Sequence, residues 1–117
     1  MGKGDLERIS HIKRYCDDIA AAIKRFGDSF EVFAGDMDFY NSVSMSIMQI
    51  GELSGGLSDE FRDATRTQMP WGLIRGMRNH LAHTYATMDK RDIWETATED
   101  IPNLSLFCEK VIENNPY

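Results

Sequence analysis

The stretch DLERISHIKRYCDDIAAAIKRFG, residues 5–27, decides the fold class. Leu6, Ile9, Ile12, Cys16, Ile19, Ile23 and Phe26 recur at steps of three and four, the period of an α-helix that buries one face. Asp5 stands at its start as a candidate N-cap. Gly27 stands at its end, where a residue of positive φ often stops a helix.

The same period continues outward. Residues 28–34 have room for one or two helical turns before Gly35 and Asp36 break the pattern. A second long helix is predicted from about Met37 to Gly55, with Tyr40, Val43, Ile47, Ile50, Ser54 and Leu57 on one stripe. Gly51 sits beside that stripe, where another backbone can approach closely. Ser58 and Asp59 cap a short piece ending near Thr65. Pro70 suits the first turn of a third long helix, which Trp71 anchors and Ile74, Met77, Leu81, Tyr85 and Met88 stripe. Asp89 caps a further helix through Trp94 to about Asp100, and Pro102 opens the last one. No alternating strand pattern, internal repeat or low-complexity run appears. The expectation is an all-α fold, an antiparallel up-down bundle of four to five helices joined by short connections.

Composition narrows the function classes. The 117 residues suit one domain spanning 1–117, and 42% hydrophobic with 27% charged residues describes an ordinary folded chain. There is no signal-peptide core and no run of ~20 apolar residues, so a cytoplasmic location without membrane contact is expected. Cys16 and Cys108 have no paired spacing and read as two buried thiols. The formal net charge of −6 argues against nonspecific nucleic-acid binding by the whole surface. Between Ala64 and Met88, however, there is no Asp or Glu, while Arg66, Arg75 and Arg78 are joined by His80 and His83. One face is thus suited to phosphate although the molecule as a whole repels it.

The chemistry concentrates in RNHLAHTY, residues 78–85. On a helix Arg78 and Tyr85 lie about 20° apart, Asn79 and His83 share a neighbouring stripe, and Arg78 and His83 are separated by about 140°. Convergence of the last two calls for a helix loosened near Ala82 or for a second copy of the chain facing the first. An imidazole titrating near neutrality can take a proton from a ribose 2′-hydroxyl, and a guanidinium can hold the charge growing on the phosphoryl oxygens. That is transesterification within RNA, which calls for no metal and no cofactor. His80 and His83 are three apart, but no HExxH, Cys pair or adjacent acid completes a zinc set. The same residues also fit a solvated helix face, with Tyr85 as a core aromatic. His11 stands isolated on the first helix.

Arg78, four residues, then His83, Thr84 and Tyr85 match the R-x4-H-x-Y pattern of HEPN-domain proteins, and the chain resembles in particular the HepT-like toxins. IGELSGGLSDEF from Ile50, PWGLIRGMRNHLAHTY from Pro70 and IWETATEDIPNL from Ile93 look like the corresponding family stretches, covering most of the chain after residue 40. The resemblance implies a helical bundle that forms a homodimer, with the two motifs facing across a cleft to make one metal-independent endoribonuclease site. It implies that Arg78 and His83 are catalytic, that Asn79 orients the arginine or a phosphate, and that His80 contacts RNA. It further implies a type II/VII-like toxin–antitoxin pair, in which a minimal nucleotidyltransferase neutralises the toxin by transferring AMP to Tyr85. The alternative is a noncatalytic HEPN subunit that docks the nucleotidyltransferase or its substrate, an option that the acidic pI near 4.9 favours.

Overall fold

The structure, a computed structural model, describes residues 2–84 and 89–115; the side chains of residues 80 and 82–84 also lie outside the description. Among the described residues it is all helical. In chain order the elements are α1 (Lys3–Phe26), α2 (Phe30–Gly35), α3 (Met37–Gly55), α4 (Asp59–Thr65), α5 (Trp71–Thr84), α6 (Lys90–Glu95), a π-helical turn (Thr96–Asp100) and α7 (Ile101–Asn114). Ser29, Asp36, Ser58 and Asp89 each accept a backbone N–H in the first turn of the helix that follows, which sets the starts of α2, α3, α4 and α6. Gly27 ends α1 at φ 118°, its N–H donating to the Ile23 carbonyl at 2.8 Å.

Two expectations need correction. Asp5 does not cap α1, which begins two residues earlier; it is buried in the first turn, its carboxylate accepting the Ser58 N–H at 2.8 Å and the Ser58 hydroxyl at 2.7 Å. The Ser58 hydroxyl oxygen in turn accepts the Phe61 N–H at 3.1 Å, so Asp5 organises the start of α4 from another helix. Replacing Asp5 with alanine leaves those Ser58 donors without their acceptor. It should cost about 1–3 kcal/mol, read as a lower urea midpoint, with Asp5→Asn milder because an acceptor remains.

Nor does the chain break before Pro102. The last two predicted helices form one rod from Lys90 to Asn114, passing through the π turn. Proline has no N–H to donate, and its ring crowds the carbonyl four residues back; a widened turn before Pro102 relieves both within a continuous helix. The Ile101 N–H accordingly bonds the Thr96 carbonyl, five residues back.

Four long rods therefore build the molecule, with α2 and α4 closing its ends. Phe26 stacks on Phe39 at 4.9 Å, so the end of α1 meets the start of α3. Trp94 joins that end through Phe33 at 5.0 Å and Phe39 at 5.8 Å. At the opposite end Phe107 lies 5.7 Å from Trp71, and the Trp71 indole N–H donates to the Thr65 hydroxyl at 2.9 Å. The pairs fix an up-down-up-down order for α1, α3, α5 and the last rod. Ile9, Ile12, Ile19, Phe33, Phe39, Val43, Ile50, Leu81, Ile93 and Leu104 fill one core, each fully buried. No described helix is long and apolar enough to cross a membrane.

Both cysteines are free and buried, and desolvation pushes each thiol up to about 12. They should resist alkylation at pH 8 in the folded protein and react on unfolding. A thiol held neutral by the fold stabilises it fully below its ordinary value of 9.0, so stability should fall as pH climbs from there toward 12.

Candidate active site

The bundle presents the motif on α5, and α3 decides how. Gly51 lies directly under Arg78. A Cβ at position 51 would collide with the Arg78 Cβ and stand 2.9 Å from its Cγ and 3.3 Å from its Cα. The two helices approach so closely only because residue 51 has no side chain. Leu81, fully buried three residues on, fixes the rotation of α5 about its own axis.

That approach sets the guanidinium between two acceptors. Arg78 Nη2 pairs with Glu52 Oε1 of α3 at 3.0 Å, and Nη1 donates to Asn79 Oδ1 at 3.1 Å. Asn79 thus touches Arg78. The Arg78 side chain is 36% exposed and Glu52 52%, so the ion pair is open to water and contributes only about 0–1 kcal/mol. An incoming phosphate oxygen can take the place of such a carboxylate. A guanidinium has five N–H groups, and after these two contacts the remaining ones suit a phosphate fork.

Glu52 has no part in the sequence reading, although a signal for it exists. A glycine flagged for close backbone approach also brings its neighbour on the helix against the approaching element.

The histidines stand differently. α5 is helical through Thr84, so the backbone does not loosen at Ala82, and positions 78 and 83 keep the angular separation of about 140° of a regular helix. The side chains of His80 and His83 are outside the described residues, as is Tyr85 altogether. Past residue 88 the chain packs against α2 and α3. Lys90 donates to the Ala34 carbonyl at 2.9 Å and lies 4.8 Å from the Tyr40 ring centroid, and the Arg91 guanidinium stacks 4.0 Å over Phe30.

Residues 6–111 match the model of the family described as Ribonuclease HepT-like. The chain belongs to the HepT-like family. A relative from Caldanaerobacter subterraneus subsp. tengcongensis, provisionally named an RNase, is 33% identical over 105 residues, covering 90% of this chain and 91% of the relative. One from Thermococcus cleftensis, provisionally named ribonuclease HepT, is 34% identical over 104 residues, covering 85% of this chain and 94% of its own. A provisionally named RNase of Methanocaldococcus jannaschii is 29% identical over 115 residues, covering 97% and 93%. No solved structure gives a significant match. The resemblance first seen in the motif thus holds along nearly the whole HepT-like chain, including its N-terminal helix.

Proposed function

We propose that this chain is a metal-independent endoribonuclease whose site is completed by a second copy of itself. Family membership supports ribonuclease activity, and the course of α5 favours a site shared between two copies. With the helix regular through Thr84, positions 78 and 83 of one subunit lie on different faces of α5, which favours serving a single phosphate with Arg78 of one subunit and His83 of the other. His83 takes the 2′-hydroxyl proton, Arg78 holds the phosphoryl charge in place of Glu52, Asn79 orients Arg78, and His80 contacts the strand. The flank of α5 supports pairing. Leu73 is 75% exposed, and beside it a groove of about 520 Å3 between α5 and the last rod is lined by Ile50, Met69, Ile74, Met77, Ile101 and Leu104.

In this reading the protein is a toxin, and its antitoxin is a nucleotidyltransferase that places AMP on Tyr85. Each AMP adds bulk and negative charge seven positions along the chain from Arg78, where it opposes RNA phosphate by occupancy and repulsion.

The deciding experiment incubates the purified protein with RNA in EDTA. Cleavage should persist and leave 2′,3′-cyclic phosphate ends; EDTA-sensitive cleavage leaving 5′-phosphates would overturn the mechanism. Intact mass after coexpression with the partner should show AMP increments that disappear in Tyr85→Phe. A stable complex with neither mass change nor RNase activity would instead favour the noncatalytic docking subunit.

A further inference from the structure

Four arginines from three helices, α1, α4 and α5, gather around the last turns of α3. Arg78 lies over Gly51. Arg75, one turn earlier on α5, lies over Gly55, its Nε 3.4 Å from where a Cβ would stand. Arg8 of α1 lies over Gly56, with Cδ and Cζ each 3.2 Å from the equivalent point. Arg62 of α4 donates to the Ser54 and Gly55 carbonyls at 3.4 and 3.3 Å and pairs with Asp59 at 2.6 Å. The absence of side chains at 51, 55 and 56 lets the side chains of Arg78, Arg75 and Arg8 lie close on the helix.

A helix C-terminus attracts cations through its carbonyls, and Arg62 answers that demand directly. Arg8 and Arg75 do not. Among the described residues neither bonds those carbonyls nor forms an ion pair, and Arg8 makes only an exposed contact of 3.3 Å to the Gly4 carbonyl. Three acids nearby are already engaged: Asp5 with Ser58, Asp59 with Arg62, Glu52 with Arg78. In a chain of net charge −6, two such cations in line with Arg78 call for an anionic occupant.

We propose that Arg75 and Arg8 form a second phosphate subsite, which binds a phosphodiester of the RNA strand next to the one held by Arg78. This rests on the reading of Arg78 as a phosphate ligand. The strand runs from Arg78 along the Gly51–Gly56 edge of α3 toward the start of α1. The subsite contains no base reader, so it contributes affinity and register without sequence preference.

The test uses the full chain and a fluorescent single-stranded oligonucleotide lacking 2′-hydroxyls, which binds but cannot be cleaved. Affinity is followed by anisotropy from low to moderate salt. The Arg8→Ala/Arg75→Ala double variant should bind at least about tenfold more weakly at low salt, and its slope of log K against log salt should be shallower by about 1.4, two contacts at roughly 0.7 each. Arg25→Ala, at the far end of α1, should change neither. Arg75→Gln alone, on an exposed side chain, should give about half the slope change and guards against a folding defect in the double variant. Unchanged affinity and slope in both Arg75 variants would overturn the subsite. If wild-type protein cleaves RNA yet the double variant binds like wild type, the subsite fails and the ribonuclease reading stands. If binding depends on Arg8 and Arg75 but the matching RNA is never cleaved, the subsite stands and the ribonuclease reading fails.

Discussion

Arg78→Ala protein is expected to cleave RNA at least about 100-fold more slowly than wild type, and His83→Ala protein about 100- to 10,000-fold more slowly, with melting temperatures little changed. Arg78 is part-exposed and its ion pair with Glu52 contributes little to stability, so its loss should fall on chemistry rather than folding. The composite site makes a stronger claim. When the two inactive variants are mixed and allowed to exchange subunits, half of the dimers at random assortment pair an Arg78→Ala chain with a His83→Ala chain. Each mixed dimer holds one site that draws its arginine and its histidine from the intact positions of opposite subunits. About one quarter of wild-type activity should return, half of the dimers with half of their sites. A site built within one chain would return nothing, because every chain in the mixture lacks one of the two groups. Mixtures that stay inactive after confirmed subunit exchange would therefore rule out the shared site, whatever the single variants do.

Gly51→Ala should be strongly damaging for a single added methyl. The added Cβ meets the Arg78 Cβ and stands 3.3 Å from the Arg78 Cα, so a side-chain rotation cannot clear it and α5 must move off α3. Overpacking of this kind costs about 1–3 kcal/mol, a fall of several degrees in melting temperature. Activity should fall further than stability, since a displacement near 1 Å of a group that holds the reacting phosphate costs about 100-fold. Gly55→Ala provides the contrast. Its Cβ meets only the Arg75 guanidinium, at 3.4 Å, and the flexible end of that side chain can yield. Because alanine is favoured over glycine within a helix by up to about 1 kcal/mol, Gly55→Ala should be neutral or stabilising. Equal thermal stability and equal cleavage rates for the two variants would show that the close approach of α3 and α5 does not position Arg78.

Much of this is legible in the sequence. The bounds of α3, Met37–Gly55, follow from the stripe of Tyr40, Val43, Ile47 and Ile50 and the glycines that end it, and all four stripe residues are buried. The close approach at Gly51 was readable too, because a glycine beside an apolar stripe has few other uses. Asp5 is ambiguous in the sequence because an acid near a helix start fits a local cap as well as a long-range acceptor. Sequence spacing carries no information about Ser58, fifty-three residues away. Pro102 is ambiguous for a related reason. Proline forbids a regular helix but tolerates a widened turn, and which occurs depends on whether packing on both sides holds the rod together.

What the residues alone determine here is periodic and local: helix, helix face, cap, and the R-x4-H-x-Y spacing that places the chain in its family. These follow because 3.6 residues per turn and the wish of apolar groups to leave water act within a few neighbours. What tertiary structure decides is which charges meet. Glu52 on Arg78, Arg62 on the end of α3, and Arg75 and Arg8 over glycines are contacts between separate helices, and only the packing of those helices brings the groups within the few ångströms over which a hydrogen bond or an ion pair acts.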